Sequence, residues 1–287
     1  MLFSRTGKKQ AHSTVGDFFV LGFLLLIASF MVLPFLFAMV QSLKPTEELF
    51  TFPPRFFVQN PTAKNFMDLF LRTNNMWVPL ERYLFNSLLI TMVGSGLSVF
   101  VCSMGAFTLS KFVFPGSRAF EKIVVMALLF VHEVTFLPQY ILLSEIKLID
   151  TMFVLIIPAI ASPLGFYLMK NFMSQIPGEL IDAAKVDGAG TYRTFHSVVL
   201  PNVRPAWITL FILSFQALWN RDTSSFVFTE QSKNLPALFR QISASNTVAT
   251  TGIAAAAAVV LMFPPILMFL FTQNKVVETM ASSGIKG

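Results

Sequence analysis

The chain has 287 residues, of which 54% are apolar and only 13% charged, with 33 Phe, a mean hydropathy of +0.67 and a net charge of +6. Soluble domains carry about 25% charged residues, and one water-soluble core of this size cannot hide so large an apolar surplus. The composition excludes a soluble enzyme, a disordered chain and a disulfide scaffold, and it points to an integral membrane protein.

A bilayer core about 30 Å thick takes about 20 apolar residues per helix. The first stretch that meets this is 18–41. Arg5, Lys8 and Lys9 precede it, as they would a signal peptide. Its apolar run is longer than an h-region and no Ala-x-Ala site follows, so a retained helix is expected. An outer segment, 42–82, is rich in Pro, Asn and aromatic residues and reads as an irregular lid. Spans follow at 83–110, at 119–143 (interrupted by His132-Glu133) and at 151–172. After a polar segment at 175–202 comes a short span, 204–224, with Arg204 placed to snorkel. A second outer segment, 225–251, is polar enough to project from the membrane, and the last span is 252–274. The expected fold is all-α, one transmembrane domain over 1–287 with six membrane helices.

Orientation follows from the basic residues. With the N-terminus inside, twelve of the 21 Lys and Arg are cytoplasmic, and eight of the other nine lie in the long outer stretches 42–82 and 221–251, where the rule is weak. Both termini are therefore expected in the cytoplasm. This bias accounts for the net charge without nucleic acid. Cys102 is the single cysteine, so no internal disulfide can form, and the three His form no cluster of metal-ligand spacing. Neither a phosphate-binding loop nor a nucleophile elbow occurs, so no catalysis and no cofactor or metal are expected in this chain.

The segment 175–202 differs from the rest. Pro177 is placed to open a helix, Glu179 and Asp182 complement its positive end, and Gly188 can take the left-handed turn that ends it. Ala183 and Ala184 offer a shallow face to another protein, and Tyr192, Phe195 and Val199 share one face of a second short helix. Spacing alone also suits a plain interfacial connector between two spans. The order Asp182-Ala183-Ala184, Asp187-Gly188-Ala189, Phe195, Leu200-Pro201 and Pro205, however, resembles the EAA coupling loop of ABC importer permeases, with Asp182 where Glu is usual. Ser42-Leu43-Lys44-Pro45-Thr46, Asn86-Ser87-Leu88, Leu218-Trp219-Asn220 and the ending Ser283-Gly284-Ile285-Lys286-Gly287 resemble the smaller, maltose-type membrane subunit of carbohydrate importers.

That resemblance implies a type I ABC importer permease in a bacterial cytoplasmic membrane. Its partners would be a second permease subunit, two ATPase subunits that bind ATP and Mg, an extracytoplasmic solute-binding protein, the lipid bilayer and a sugar. The coupling loop would sit in an ATPase cleft, and its closure would rock the helices between inward- and outward-open states. The tail residues Gly284, Lys286 and Gly287 would reach the ATPase pair, and Gln231, Asn234 and Ser243 would contact the binding protein. Glu133, an acid inside a span, and Trp219 with Asn220 are candidate pathway residues. The run 252–258 is a small-residue face suited to close helix packing. Alternatives are an ion-driven secondary transporter, which should carry acids in several spans, and a permease of the same type for a solute other than sugar.

Overall fold

In hydrocarbon the backbone must satisfy its own hydrogen bonds, and a chain this apolar does so with helices. The computed structural model describes residues 14–49, 51–53, 55–75, 78–245 and 248–284, and every regular element among them is helical.

The first helix, α1 (Thr14–Leu43), is apolar all round and packs within the chain on the last helix, while most of its side chains, such as Phe18 and Phe30, face outward. The segment that follows carries two helices where an irregular lid is expected. After the single turn α2 (Thr46–Leu49), the helix α3 (Lys64–Asn75) buries Leu69 completely. Asn65 Nδ2 donates to the carbonyls of Ser42 (2.8 Å) and Lys44 (2.7 Å), so α3 is stitched to the end of α1. The Lys44 ammonium, itself buried, donates to the Arg55 carbonyl.

The 32-residue α4 (Leu80–Lys111) is the central element, in contact with four later helices. Its small residues make this possible. A Cβ on Gly94 would lie 2.6 Å from Leu218 Cδ1, and one on Gly105 would lie 2.8 Å from Phe166 Cε2. The expected third span is two helices, α5 (Ser117–Ala127) and α6 (His132–Glu145). The chain tightens through i→i+3 bonds at Leu129 and Phe130 and then extends at Val131 (φ −79°, ψ 145°). The fourth span is likewise broken, into α7 (Phe153–Ile160) and α8 (Pro163–Ser174). Ser162 Oγ caps α8 by accepting from Gly165 N at 3.1 Å, and Pro163 starts the helix where no N–H is needed.

The protruding segment comprises α9 (Gly178–Val186), α10 (Thr191–Thr194), a π-turn at Phe195–Val199 and α11 (Leu200–Asn202). It meets α12 (Arg204–Trp219) at a bend of 82°. The chain then passes through a 3₁₀ turn at Glu230–Ser232 into α13 (Leu235–Ala244) and ends in α14 (Val248–Gly284). Among the described residues, four apolar runs are long enough to cross a bilayer: Gly16–Leu43, Leu80–Lys111, Phe153–Ser174 and Thr250–Gln273; the bent pair around Val203 makes a fifth. Three apolar clusters join them, one beneath the protruding segment, one around Trp219 and one where α4, α6 and α7 meet residues 226–227.

Candidate functional site

The molecule has two polar ends. At the first, α9 closes as its sequence predicts. Gly188 takes φ +77°, which lets its N–H reach the Lys185 carbonyl (3.0 Å) and the Ala189 N–H reach the Ala184 carbonyl (2.9 Å), a Schellman turn. The helix is two-faced. Glu179, Asp182, Ala183, Val186 and Asp187 are exposed, and Asp182 makes an exposed ion pair with Lys185 at 3.1 Å. Ile181 and Ala184 point inward and are buried. The expectation that both alanines form a docking face is therefore halved: Ala183 is free to meet a partner, whereas Ala184 packs within this chain.

Phe195 also turns inward. Its ring lies 5.4 Å from that of Phe107 on α4, and it is buried with Met169, Met173 and Val199. It holds the segment to the bundle instead of touching a second protein. Ala189 is half-buried and Pro201 is exposed. Beneath them, Lys111 Nζ donates to the Ile176 carbonyl at 2.6 Å, and Lys170 on α8 pairs with Glu121 on α5. Nothing local in the sequence announces the acceptors of these two lysines.

At the second end, residues 221–245 form a cap that folds onto the start of α4. Asn86 Nδ2 donates to the carbonyls of Gln231 and Lys233 (both 2.8 Å), Tyr83 Oη donates to Glu230 Oε1 (2.7 Å), and Ser87 Oγ accepts from Leu235 N (2.7 Å). Burial raises the Glu230 carboxyl, but hydrogen bonds from Lys233, Tyr83 and Gln241 outweigh it and leave Glu230 below the usual carboxylate value. Asp150, in the loop after α6, accepts from the Thr229 hydroxyl and amide and from the Phe228 amide, and these bonds lower its pKa.

Within this cap the three expected binding-protein contacts separate. Gln231 and Ser243 are exposed. Asn234 is 1% exposed: its Oδ1 caps α13 at Ala237 N and accepts from Thr223, while its Nδ2 donates to the Arg221 carbonyl at 2.6 Å. Its amide is consumed inside the fold and offers nothing to a docking surface. That correction has a sequence signal, since Asn-Leu-Pro is also a helix start.

The pathway candidates also divide. Trp219 is completely buried, stacked on Phe215 at 5.9 Å, with Nε1 donating to the Leu261 carbonyl at 2.9 Å. Pro265 has no N–H to give that carbonyl, so the indole completes α14 at its Pro264-Pro265 step. Trp219 is thus a helix-packing residue, neither pathway lining nor interfacial anchor. Asn220 is exposed and lines a groove of about 430 Å³ with Phe35, Gln216, Met262 and Phe269. Glu133 is exposed in the first turn of α6, where its charge complements the helix's positive end; it does not lie inside a continuous helix. In the small-residue run, a Cβ on Gly252 would lie 2.4 Å from Asn65 Oδ1, and Ala256 and Ala257 are buried, so that face is packing. Gly284 ends α14, and Lys286 and Gly287 lie outside the described residues.

The fold is that of a type I ABC importer permease: it superposes with a TM-score of 0.80, over 96% of this chain and 99% of the other, on a chain of a bacterial ABC transporter involved in importing the acidic polysaccharide alginate, at 18% identity. A second solved structure, the bacterial alginate ABC transporter in complex with its alginate pentasaccharide-bound periplasmic protein, aligns with a TM-score of 0.61 at 13% identity over 92% of this chain and 97% of the other. The sequence gives the family. Residues 13–279 match the binding-protein-dependent transport system inner membrane component family, and the chain belongs to it. It is 30% identical over 258 residues to the putative ABC transporter permease protein ORF2 of Caldicellulosiruptor sp. strain Rt8B.4, covering 88% of this chain and 91% of that one. It is 27% identical to the arabinooligosaccharides transport system permease protein AraQ of Halalkalibacterium halodurans, covering 91% and 93%.

Proposed function

We propose that this chain is the membrane subunit of an ATP-driven importer for a sugar or oligosaccharide, and that α9 couples ATPase closure to alternating access. It acts with a second permease subunit, two ATPase subunits that hold ATP and Mg, and an extracytoplasmic binding protein that delivers the solute. In this reading the chain crosses six times, with the broken α5–α6 and α7–α8 runs each counted as one, and the bias of basic residues favours both termini and α9 on the cytoplasmic side. Transport relatives named for arabinooligosaccharides and for polygalacturonan/rhamnogalacturonan support a carbohydrate substrate. The observation that carries the coupling role is the two-faced α9: acids and Ala183 exposed, Ile181 and Ala184 anchored.

In this reading Glu179, Asp182, Ala183, Asp187 and Gly188 meet the ATPase cleft, and Gln231 and Ser243 meet the binding protein. Gly284 begins the tail that approaches the ATPases. Glu133 and Asn220 remain the polar candidates along the solute's route. ATP-driven uptake of labelled pectin- or arabinan-derived oligosaccharides by proteoliposomes holding the whole complex is the test. Uptake that needs ATP and the binding protein is expected. Uptake driven by an ion gradient without ATP would contradict the proposal.

A further inference from the structure

The two polar ends are joined by one helix. At about 1.5 Å per residue, the 32 residues of α4 span roughly 48 Å. Its first turns hold the outer cap through Tyr83, Asn86 and Ser87. Its last turns hold both arms of the coupling segment. The incoming arm is fixed where Lys111 Nζ donates to the Ile176 carbonyl, immediately before Pro177 opens α9. The outgoing arm is fixed where the Phe107 ring, one turn earlier on α4, meets Phe195. Between these points, Ile176, Ile181, Val199, Met169 and Met173 form one buried cluster with Cys102, Ala106 and Phe107.

The two attachments differ in kind. A ring contact can slide, because dispersion and apolar burial are non-directional. An ammonium on a carbonyl is directional and charge-assisted, and that carbonyl lies just past the negative end of α8. The lysine therefore sets the register between α9 and α4.

We propose that Lys111 is the positioning residue that makes α9 and α4 move as one body, so that displacement of α9 reaches the outer cap through α4. The proposal rests on the importer reading given above. A packed core is bistable and does not deform continuously, so a fixed register at one end of a long helix delivers the movement to the other. Without the lysine, α9 would shift against its apolar bed and ATP would be hydrolysed with little transport.

The test uses the complete reconstituted complex and measures ATP hydrolysed per solute imported. Lys111→Met should raise that ratio about tenfold, the scale set by losing one charge-assisted hydrogen bond. Lys111→Arg, which keeps a charged donor, should restore it to within about twofold. Lys122→Gln removes an exposed charge at the same end and should leave it unchanged. A second measurement stands even where Lys111→Met does not assemble. In a Cys102→Ser background, spin labels on Thr108→Cys, exposed in the last turn of α4, and on the exposed Val186→Cys report the distance from the end of α4 to α9. In the otherwise native complex that distance should change by no more than about 2 Å between nucleotide-free and ATP-trapped states, as rigid-body movement requires. A larger change, or a Lys111→Met complex with the native ratio, overturns the proposal. A native complex with no ATP-driven uptake contradicts the importer reading instead, and the label distance still judges the rigid body.

Discussion

The α9 segment, between α8 and α12, and the cap at residues 221–245, between α12 and α14, lie at opposite ends of α4 and spend their polar groups in opposite ways. Around α9 the acids stay exposed and the apolar residues anchor the segment. In the cap, the side chains of Asn234, Thr223, Glu230 and Asp150 bond to the protein itself. A polar loop is thus free to recruit a partner only to the extent that it does not use its own donors and acceptors. By that measure α9 leaves its acids open to a partner, whereas the cap spends most of its polar groups on itself and leaves Ser243 exposed.

The comparison can be broken most severely at Gly188. Pro cannot adopt its φ of +77°, so Gly188→Pro should remove the Schellman turn, abolish uptake and reduce recovery of ATPase subunits on purification. Normal uptake with full recovery would show that the turn is dispensable. Next comes Asn234→Ala, which deletes a cap and several buried bonds and should cost about 2–4 kcal/mol, read as a lower unfolding temperature of the purified complex. Trp219→Phe keeps the packing but leaves the Leu261 carbonyl without its indole donor in apolar surroundings. A cost of about 1–3 kcal/mol is expected, measured in the same melt; an unchanged melt would mean that another donor reaches that carbonyl.

Acid should act on the cap. Glu230 and Asp150 both titrate below their ordinary values of 4.5 and 3.8. A depressed carboxylate stabilises the fold above the ordinary value, and that contribution is lost as pH falls through the lower, folded value. Hydrogen exchange in 226–234 should therefore quicken below about pH 4.5, and protection that is unchanged down to pH 3 would count against these bonds. The smallest effect belongs to Ser243→Ala on the exposed rim, which should leave the melting temperature within about 1 °C while weakening binding-protein docking. A marked loss of stability there would place Ser243 in the packing.

Much of this was legible in the amino-acid order. Long apolar runs located α1, α4 and α14, and the Pro177–Gly188 spacing located α9 and its left-handed turn, because caps and turns are local chemistry. The two ends of the third span were legible, but its break was not, since an apolar run reads the same whether or not its backbone extends at Val131. Least legible was the cap. The Asn234 cap is local chemistry, but the docking of its neighbours Lys233 and Leu235 depends on Asn86 and Ser87, nearly 150 residues away in the chain. Trp219 was misread for the same reason: its acceptor, Leu261, is left open by a proline on another helix.

The central claim is that α9, and not the outer cap, meets the ATPase subunits. In a Cys102→Ser background, single cysteines replacing Asp187 and Ser243, both exposed, can be cross-linked in membranes that contain the whole complex. Asp187→Cys should join an ATPase subunit, and Ser243→Cys should join only the binding protein. An ATPase cross-link from Ser243→Cys, or none from Asp187→Cys in a complex that imports solute, would contradict the account.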